Sequence, residues 1–591
     1  MKKYTALLLI AALLLTGCAA KPVDEPQETI PTVTQPTTPP TIQTEPTEPN
    51  EVSSEDGMFT DRDMRTTYDE SSAVYIPLSG SRVEITQEGI YVLSGTMTDG
   101  MVLVNADKTA KVQLVFNGVQ ITNRSGAALC VLQADKVFIT LADGTQNYLS
   151  GGSSFTPIGD ENVDATLYSK EDITINGTGK LTVTSPAGHG IVSKDDLKIT
   201  GGFLKVEAAS HGLKANDSVR FTGAELTVTA GMDGIHCENK DDASLGYVYV
   251  SGGAMNIQAE GDGISAGGSL HITGGSFDIV AGGGSENGTK ESSGGWGGFP
   301  GGGRPGMPGP GQSSTTDDDS TSMKGIKAAS NLQIDAGSFT INSADDAIHS
   351  NGSVTVNGGT FAIATGDDGI HGDENLTVNG GTIQITESYE GLEALHITIA
   401  GGDIDLVATD DGVNAAGGTD SSGTGGRDGM FGGMRPGGPG GPGGPGGSGS
   451  SGGSIVISGG TLKINASGDG IDANGTLEIS GGYTVVTGPI QGDTSTLDYD
   501  VSGVITGGTF IGTGASFMAQ SFSSAQQGVI AASVGSQSAN TQITLTDSKG
   551  TVLFSHAPEL PFQVVILSSP DLISGQTYTL TVGTVSGDFT A

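Results

Sequence analysis

Residues 360–381 read TFAIATGDDGIHGDENLTVNGG, and elementary chemistry assigns nearly every position. Phe361 and Ile363 alternate with small residues, the pattern of a strand with one buried face. Asp368-Gly369-Ile370-His371 turns a corner, Leu376 and Val378 alternate again, and Asn379-Gly380-Gly381 closes the unit. The unit recurs between Ile173 and Gly482. With the residue before the central Gly as a marker, His189, His211 and Asp233 are 22 residues apart, as are Lys324, Asp346, Asp368 and Glu390. Asp411 follows after 21, and Asp469 stands 22 before Gln491. A short repeat with alternating strands, Gly at its corners and few helix signals predicts an all-β parallel β-helix of about 22 residues per coil, because one coil cannot hide its apolar face alone. A β-sandwich of hairpins would not impose one period through so many copies.

Outward from the repeat, the chain divides by composition. The interval from Asp233 to Asp262 carries extra residues around Lys240–Gly246, and two Gly-rich runs, 281–323 and 417–453, interrupt the spacing. Such insertions are expected to be loops. Residues 58–172 show strands without the Asp-Gly step and are expected to form irregular first coils, ahead of the regular helix at 173–502. Residues 503–591 hold longer strands, a β-rich C-terminal cap of the kind that covers an open solenoid edge. Residues 19–57 are rich in Pro, Thr and Glu and cannot form a core, so they are expected to be an extended linker. Residues 1–18 pair Lys2 and Lys3 with an apolar stretch too short to cross a bilayer, and end in Leu15-Thr16-Gly17-Cys18. This looks like a bacterial lipobox in which Cys18 is acylated, anchoring the chain outside the cell.

The net charge of −40 argues against nucleic acid or anionic lipid as a partner, since a polyanion meets them only through a cation. Of three cysteines, Cys130 and Cys237 remain for the body. No disulfide framework is expected, and both are read as small buried hydrophobes.

The repeat turns sequence position into a vertical stack. Asp345-Asp346, Asp367-Asp368, Glu390 and Asp410-Asp411 occupy successive coils and are expected to project outward at about 4.8 Å spacing. Like charges so placed repel and raise one another's pKa, and a shared Ca²⁺ resolves the conflict, since it takes six to eight oxygen ligands. The competing reading is that Asp before Gly bonds its own turn; one Asp per corner satisfies that, and the second does not follow from it. His349 and His371, three places past the marker, are read as solvated corner residues or as ligands for a transition metal. Tyr389 is the chosen aromatic platform for a sugar. Lys324 and Lys327, next to the acidic stack, are the candidate bases were the chain a lyase; the alternative is that Lys324 neutralises the top of the stack.

The segments Phe59-Thr60-Asp61-Arg62-Asp63-Met64-Arg65, Gln133-Ala134-Asp135-Lys136-Val137-Phe138-Ile139-Thr140-Leu141 and Met518-Ala519-Gln520-Ser521-Phe522, with the Asp-Gly-Ile-His coils, resemble the clostridial carbohydrate-binding β-helix lipoproteins. The resemblance implies a right-handed parallel β-helix at the cell surface that binds calcium and plant polysaccharides of the cellulose and polygalacturonate type. It also implies likeness to pectate lyases without cleavage. Two other functions stay open on the residues alone: a calcium-dependent lyase, and a structural adhesin or spacer. The chain is expected to act as a monomer, with the membrane reached through its lipid alone.

Overall fold

A computed structural model describes residues 57–290, 322–416, 452–490 and 494–591. Cys18, the linker, most of both Gly-rich runs and Gln491 lie outside the described residues. Strands make up 55% and helix 2%, so corners and turns, not helices, connect the strands.

The strands join a continuous sheet of 45 members, nearly all paired in parallel with the equivalent strand of the next coil, as a parallel β-helix requires. Each regular coil contributes to three faces. The first face contains Ser338–Ser343, Thr360–Thr365, Thr382–Glu387 and Asp403–Ala408, paired rung to rung. The second contains Ile326–Ala328 and Ile348–Ser350, followed by the starts of strands Ile370–Val378 and Leu392–Ile399. The third contains Leu332–Ile334, Ser353–Val356 and the ends of those two longer strands. The parallel ladder reaches beyond the region that carries the sequence signature. It begins where Val74–Leu78 pairs with Gly89–Met97 and still holds where Ser502–Ile505 meets Ser524–Ala525.

The core is the inward column of each face. Ile264, Ile326, Ile348, Ile370 and Leu392 follow one another in register and are buried. Phe277, Phe339 and Phe361 stack face to face at 4.7 and 4.6 Å, so three successive coils each add an aromatic ring to one dry column. The glycines serve two different needs. Gly381 closes its unit at φ +101°, a conformation open to glycine. Gly369 has no such dihedral; a Cβ there would lie 2.5 Å from the Gly391 carbonyl and the Ile385 side chain, so the Asp-Gly-Ile step needs close backbone approach.

The C-terminal end of the ladder is covered. Phe562–Ser568 runs antiparallel to Thr509–Gly514 and to Val529–Gln537, pairing the last edge of the first face with the cap. Beyond it Ile543–Thr546, Val552–His556, Thr577–Val582 and Val585–Thr590 form a separate four-stranded antiparallel sheet. Near the N-terminus, Asp61–Met64 forms one helical turn capped by Thr60 and lies against the outside of the third face. Asp63 is fully buried there, 2.7 Å from Lys136 Nζ and 3.5 Å from Lys198 Nζ, and it accepts a hydrogen bond from Thr174. Burial alone would raise its pKa, but the two ammonium groups hold the carboxyl well below the usual range.

Candidate functional site: the corner between the first and second faces

The register places the marker residues where the repeat predicts. Ile326, Ile348, Ile370, Leu392, Val413 and Ile471 pair in sequence, so Lys324, Asp346, Asp368, Glu390, Asp411 and Asp469, each two residues earlier, stack on one corner. Their orientation differs from the expectation. Asp345, Asp346, Asp367 and Asp368 are at most 5% exposed, and the carboxylates turn into the corner instead of projecting to solvent. The reason is a hydrogen-bond relay between coils. Asp233 Oδ1 accepts the backbone N–H of Asp262 at 2.9 Å, Asp262 Oδ1 that of Lys324 at 2.8 Å, Asp346 Oδ1 that of Asp368 at 3.1 Å, and Asp411 Oδ1 that of Asp469 at 2.5 Å. The marker side chain therefore bonds backbone, as a turn Asp does, but the backbone of the neighbouring coil. After Asp469 the relay passes to Ser495 N, so the next marker is Ser495 and the last interval is longer than the repeat predicts.

Lysines answer the charge at the lower rungs. Lys324 is 1% exposed, with Nζ 2.8 Å from Asp346 Oδ2 and 3.1 Å from Asp345 Oδ2. Burial would raise the Asp346 pKa, yet the Lys324 ammonium and His349 hold the carboxyl well below its usual value. Lys324 is thus a sealed counter-ion without access to a polysaccharide, which removes it as a lyase base. Lys327 is half-buried beside Ser322, 3.4 Å away. The first Gly-rich run leaves the coil at this same corner, and its opening residues fold back along it. Ser285 donates its backbone N–H to Asn342 and its hydroxyl to Glu387, and Lys290 Nζ reaches Asp367 at 2.9 Å. Lys290 also lies 4.8 Å from the centroid of Tyr389. Tyr389 is half-buried under that ammonium and does not offer a clear sugar platform.

His349 and His371 are buried, not solvated, at 2% and 1% exposure, and stack at 4.8 Å. His349 Nδ1 lies 2.8 Å from Asp346 Oδ2. His371 meets three carboxylates: Asp368 at 3.1 Å, Glu393 at 2.7 Å and Asp373 at 3.2 Å. Burial would lower its pKa, but these partners raise it well above the ordinary value. Asp368, burdened by burial and by Asp367, Asp346 and Glu393, is raised well above the usual carboxylate range, and its Oδ1 has no hydrogen-bond partner.

The upper rungs have no such answer. Among the described residues Glu390, Asp411, Asp469 and Asp472 have no lysine, arginine or histidine partner; Glu390 is held by the Asn414 amide at 2.9 Å. Burial, together with neighbouring carboxylates, raises Asp411 to about 8, Asp469 to about 7 and Asp472 to about 6. These oxygens, with Asp410, form a run of hard donors that a divalent cation of flexible coordination would suit. Where His371 joins Asp368 and Glu393, the nitrogen donor suits a transition metal better. Composition alone did not disclose Lys290, which comes from an insertion, nor a second cluster four coils below. There His189, His211 and His236 stack at 5.1 and 4.3 Å, with Asp233 Oδ2 2.7 Å from His236 Nδ1. The equal spacing of His189 and His211, and His236 three residues past Asp233, were its signals in the sequence.

Comparison with known proteins adds what geometry does not. The model of the family described as "Carbohydrate-binding domain-containing protein" matches residues 79–369. A carbohydrate-binding domain-containing protein of Acetivibrio thermocellus is 42% identical over 135 residues, 22% of this chain and 47% of the relative, so the chain spans about half that relative's length. A solved structure of a polysaccharide lyase-like protein from C. thermocellum, a gadolinium derivative, shares 35% identity over 35% of this chain and 93% of its own, with a TM-score of 0.33. The chain is similar to carbohydrate-binding domain-containing proteins through residues 79–369, a little under half of its length.

Proposed function

We propose that this protein binds plant cell-wall polysaccharide, of the polygalacturonate or cellulose type, without cleaving it. The corner carboxylates hold Ca²⁺, and the Cys18 lipid keeps the chain at the cell surface. The family supports the ligand class in its general form. The observation that carries the calcium assignment is the run Glu390, Asp411, Asp469 and Asp472, half-buried carboxylates with no cationic partner among the described residues. Burying such groups ionised is costly unless a proton or a metal compensates, and oxygen donors in this number suit Ca²⁺. Because most of these carboxylates face inward, calcium would act by fixing the corner, and the polysaccharide would meet exposed faces of the coils. The reading without cleavage is supported by Lys324, one of the two candidate bases, being sealed between two carboxylates.

The test passes the full chain over immobilised polygalacturonate and over cellulose, with CaCl₂ and with a chelator, while unsaturated uronide product is followed by absorbance. Retention in calcium, a loss in chelator on polygalacturonate and no product are expected. Passage through both matrices in both buffers would overturn the reading. Calcium-dependent heat stability without retention would instead mark a spacer, and product formation would mark a lyase.

A further inference from the structure

The outer side of the first face carries a second feature, far in sequence from the acidic corner. In the early coils Thr96 pairs with Gln120, Gln120 with Tyr148 and Tyr148 with Thr182, one outward column. Beside it Thr122, Ser150 and Thr184 form a parallel column. Between these columns lies an open groove of about 590 Å³ with Met97 and Ile121 as its floor, within the size range of small-ligand sites. Tyr148 stands at its edge, 41% exposed, with its hydroxyl donating to Gln146 Oε1 at 2.8 Å. The ring is therefore held in place while its face stays accessible.

Three properties define the occupant. First, a fixed and exposed aromatic face favours a flat apolar surface of similar size, such as the C–H face of a pyranose whose hydroxyls are equatorial. Second, among the described residues the hydroxyls of Thr98, Thr122 and Ser150 make no hydrogen bond, and the Gln120 side chain makes one, accepting from the Thr96 hydroxyl at 3.5 Å. Groups that both donate and accept surround the ring, as sugar hydroxyls require. Third, no charged side chain lines the groove, in a chain of net charge −40. The first charges farther up these columns, Lys205 and Glu207, neutralise each other at 2.7 Å. A uronate would find neither a cation nor a metal ligand here.

We propose that this groove is a subsite for a neutral, equatorially substituted pyranose of a β-glucan chain, separate from the carboxylate corner and independent of calcium. The columns continue through Thr182 and Thr184, then past the Lys205–Glu207 pair to Thr227, Thr229, Asn256 and Gln258. A glycan seated at Tyr148 can therefore extend along the coil axis over uncharged hydroxyl and amide groups, crossing one neutralised ion pair. The subsite rests on the carbohydrate-binding reading above and gives it a location.

The test titrates the full chain with cellohexaose and with soluble β-glucan, in CaCl₂ and in chelator, and compares wild type with Tyr148→Ala and Thr122→Val. Tyr148 is on the surface, so unchanged circular dichroism is expected. Wild type should bind both probes equally in the two buffers. Tyr148→Ala should weaken binding by about tenfold, the scale of one lost aromatic contact, and leave retention on polygalacturonate unchanged. Wild-type β-glucan binding that Tyr148→Ala alters by less than about twofold overturns the subsite while the family reading stands. The same holds if wild type retains polygalacturonate alone. Failure of wild type on every polysaccharide overturns the function itself.

Discussion

Substituting Lys324 by Met isolates the role of the buried cation, because the apolar stem is kept and only the charge is lost. At 2.8 and 3.1 Å from Asp346 and Asp345, the ammonium gains roughly 6 and 5 kcal/mol of direct attraction at an effective dielectric near 20. Most of that is offset by the desolvation of three buried ions. Removing one partner does not return the desolvation of the others. It leaves two sealed carboxylates without their ammonium, Asp346 retaining His349 at 2.8 Å, and the expected net loss is about 3–5 kcal/mol. Solenoids do not unfold as one unit, so the loss should appear first in the coils that touch the site. Hydrogen exchange read by mass spectrometry, on peptides spanning Ile348–Ser350 and the start of Ile370–Val378, should show protection lower by about two to three and a half orders of magnitude. Peptides from the cap should change little. Adding Asp345→Asn and Asp346→Asn to the same chain should recover much of the loss. Protection within about threefold of wild type at the corner would refute the counter-ion role.

The metal-free protein should lose stability in its upper coils as pH rises from about 4 towards 8. Asp411, Asp469 and Asp472 are raised to about 8, 7 and 6 by burial and neighbouring carboxylates, so the fold binds more protons than the unfolded chain in that window. Melts in chelator at pH 5 and pH 8 check this, and calcium should raise the melting temperature more at pH 8, with proton release; a higher melting temperature in chelator at pH 8 would contradict it. Phe361→Ala should cost about 3–5 kcal/mol, since Phe361 is 1% exposed within the aromatic column, and hydrogen exchange in the adjoining coils is the measure. Asp63→Ala should strand Lys136 and Lys198 and cost about 3–5 kcal/mol locally, visible as faster proteolysis around residues 58–65. Cys18→Ser should abolish incorporation of labelled fatty acid and release the chain from membranes.

The repeat was legible because inward positions tolerate few residue types. Phe361, Ile363, Ile370, Leu376 and Val378 announce their orientation by being apolar, and each is buried. Stacking order followed from spacing alone, and the corner residues do lie above one another. The direction of the corner side chains was not legible, because Asp before Gly is equally at home in solvent and on a neighbouring amide. What decides is the N–H of the next coil, which one coil's sequence cannot display. Burial of Lys324 and His371 followed from the same cause, as each serves a carboxylate already turned inward. Lys290 escaped notice because its partner Asp367 is 77 residues away and its own segment has no period. Tyr389 lies under Lys290, a group the repeat does not encode. Tyr148 lies in coils without the Asp-Gly step, where pattern gave the strands and said little about their outward faces.

The relay of carboxyl oxygens onto backbone amides is not continuous. It stops at Lys324, whose ammonium has no acceptor to offer the rung above, and no such bond joins Asp368 to Glu390 or Glu390 to Asp411. At these joints a whole rung could be duplicated or deleted by recombination without bereaving an amide, whereas a cut through an intact stretch such as Asp233 to Lys324 would strand one. The molecule's length is therefore most easily altered at the three joints Lys324–Asp346, Asp368–Glu390 and Glu390–Asp411, and not within the intact step from Asp346 to Asp368.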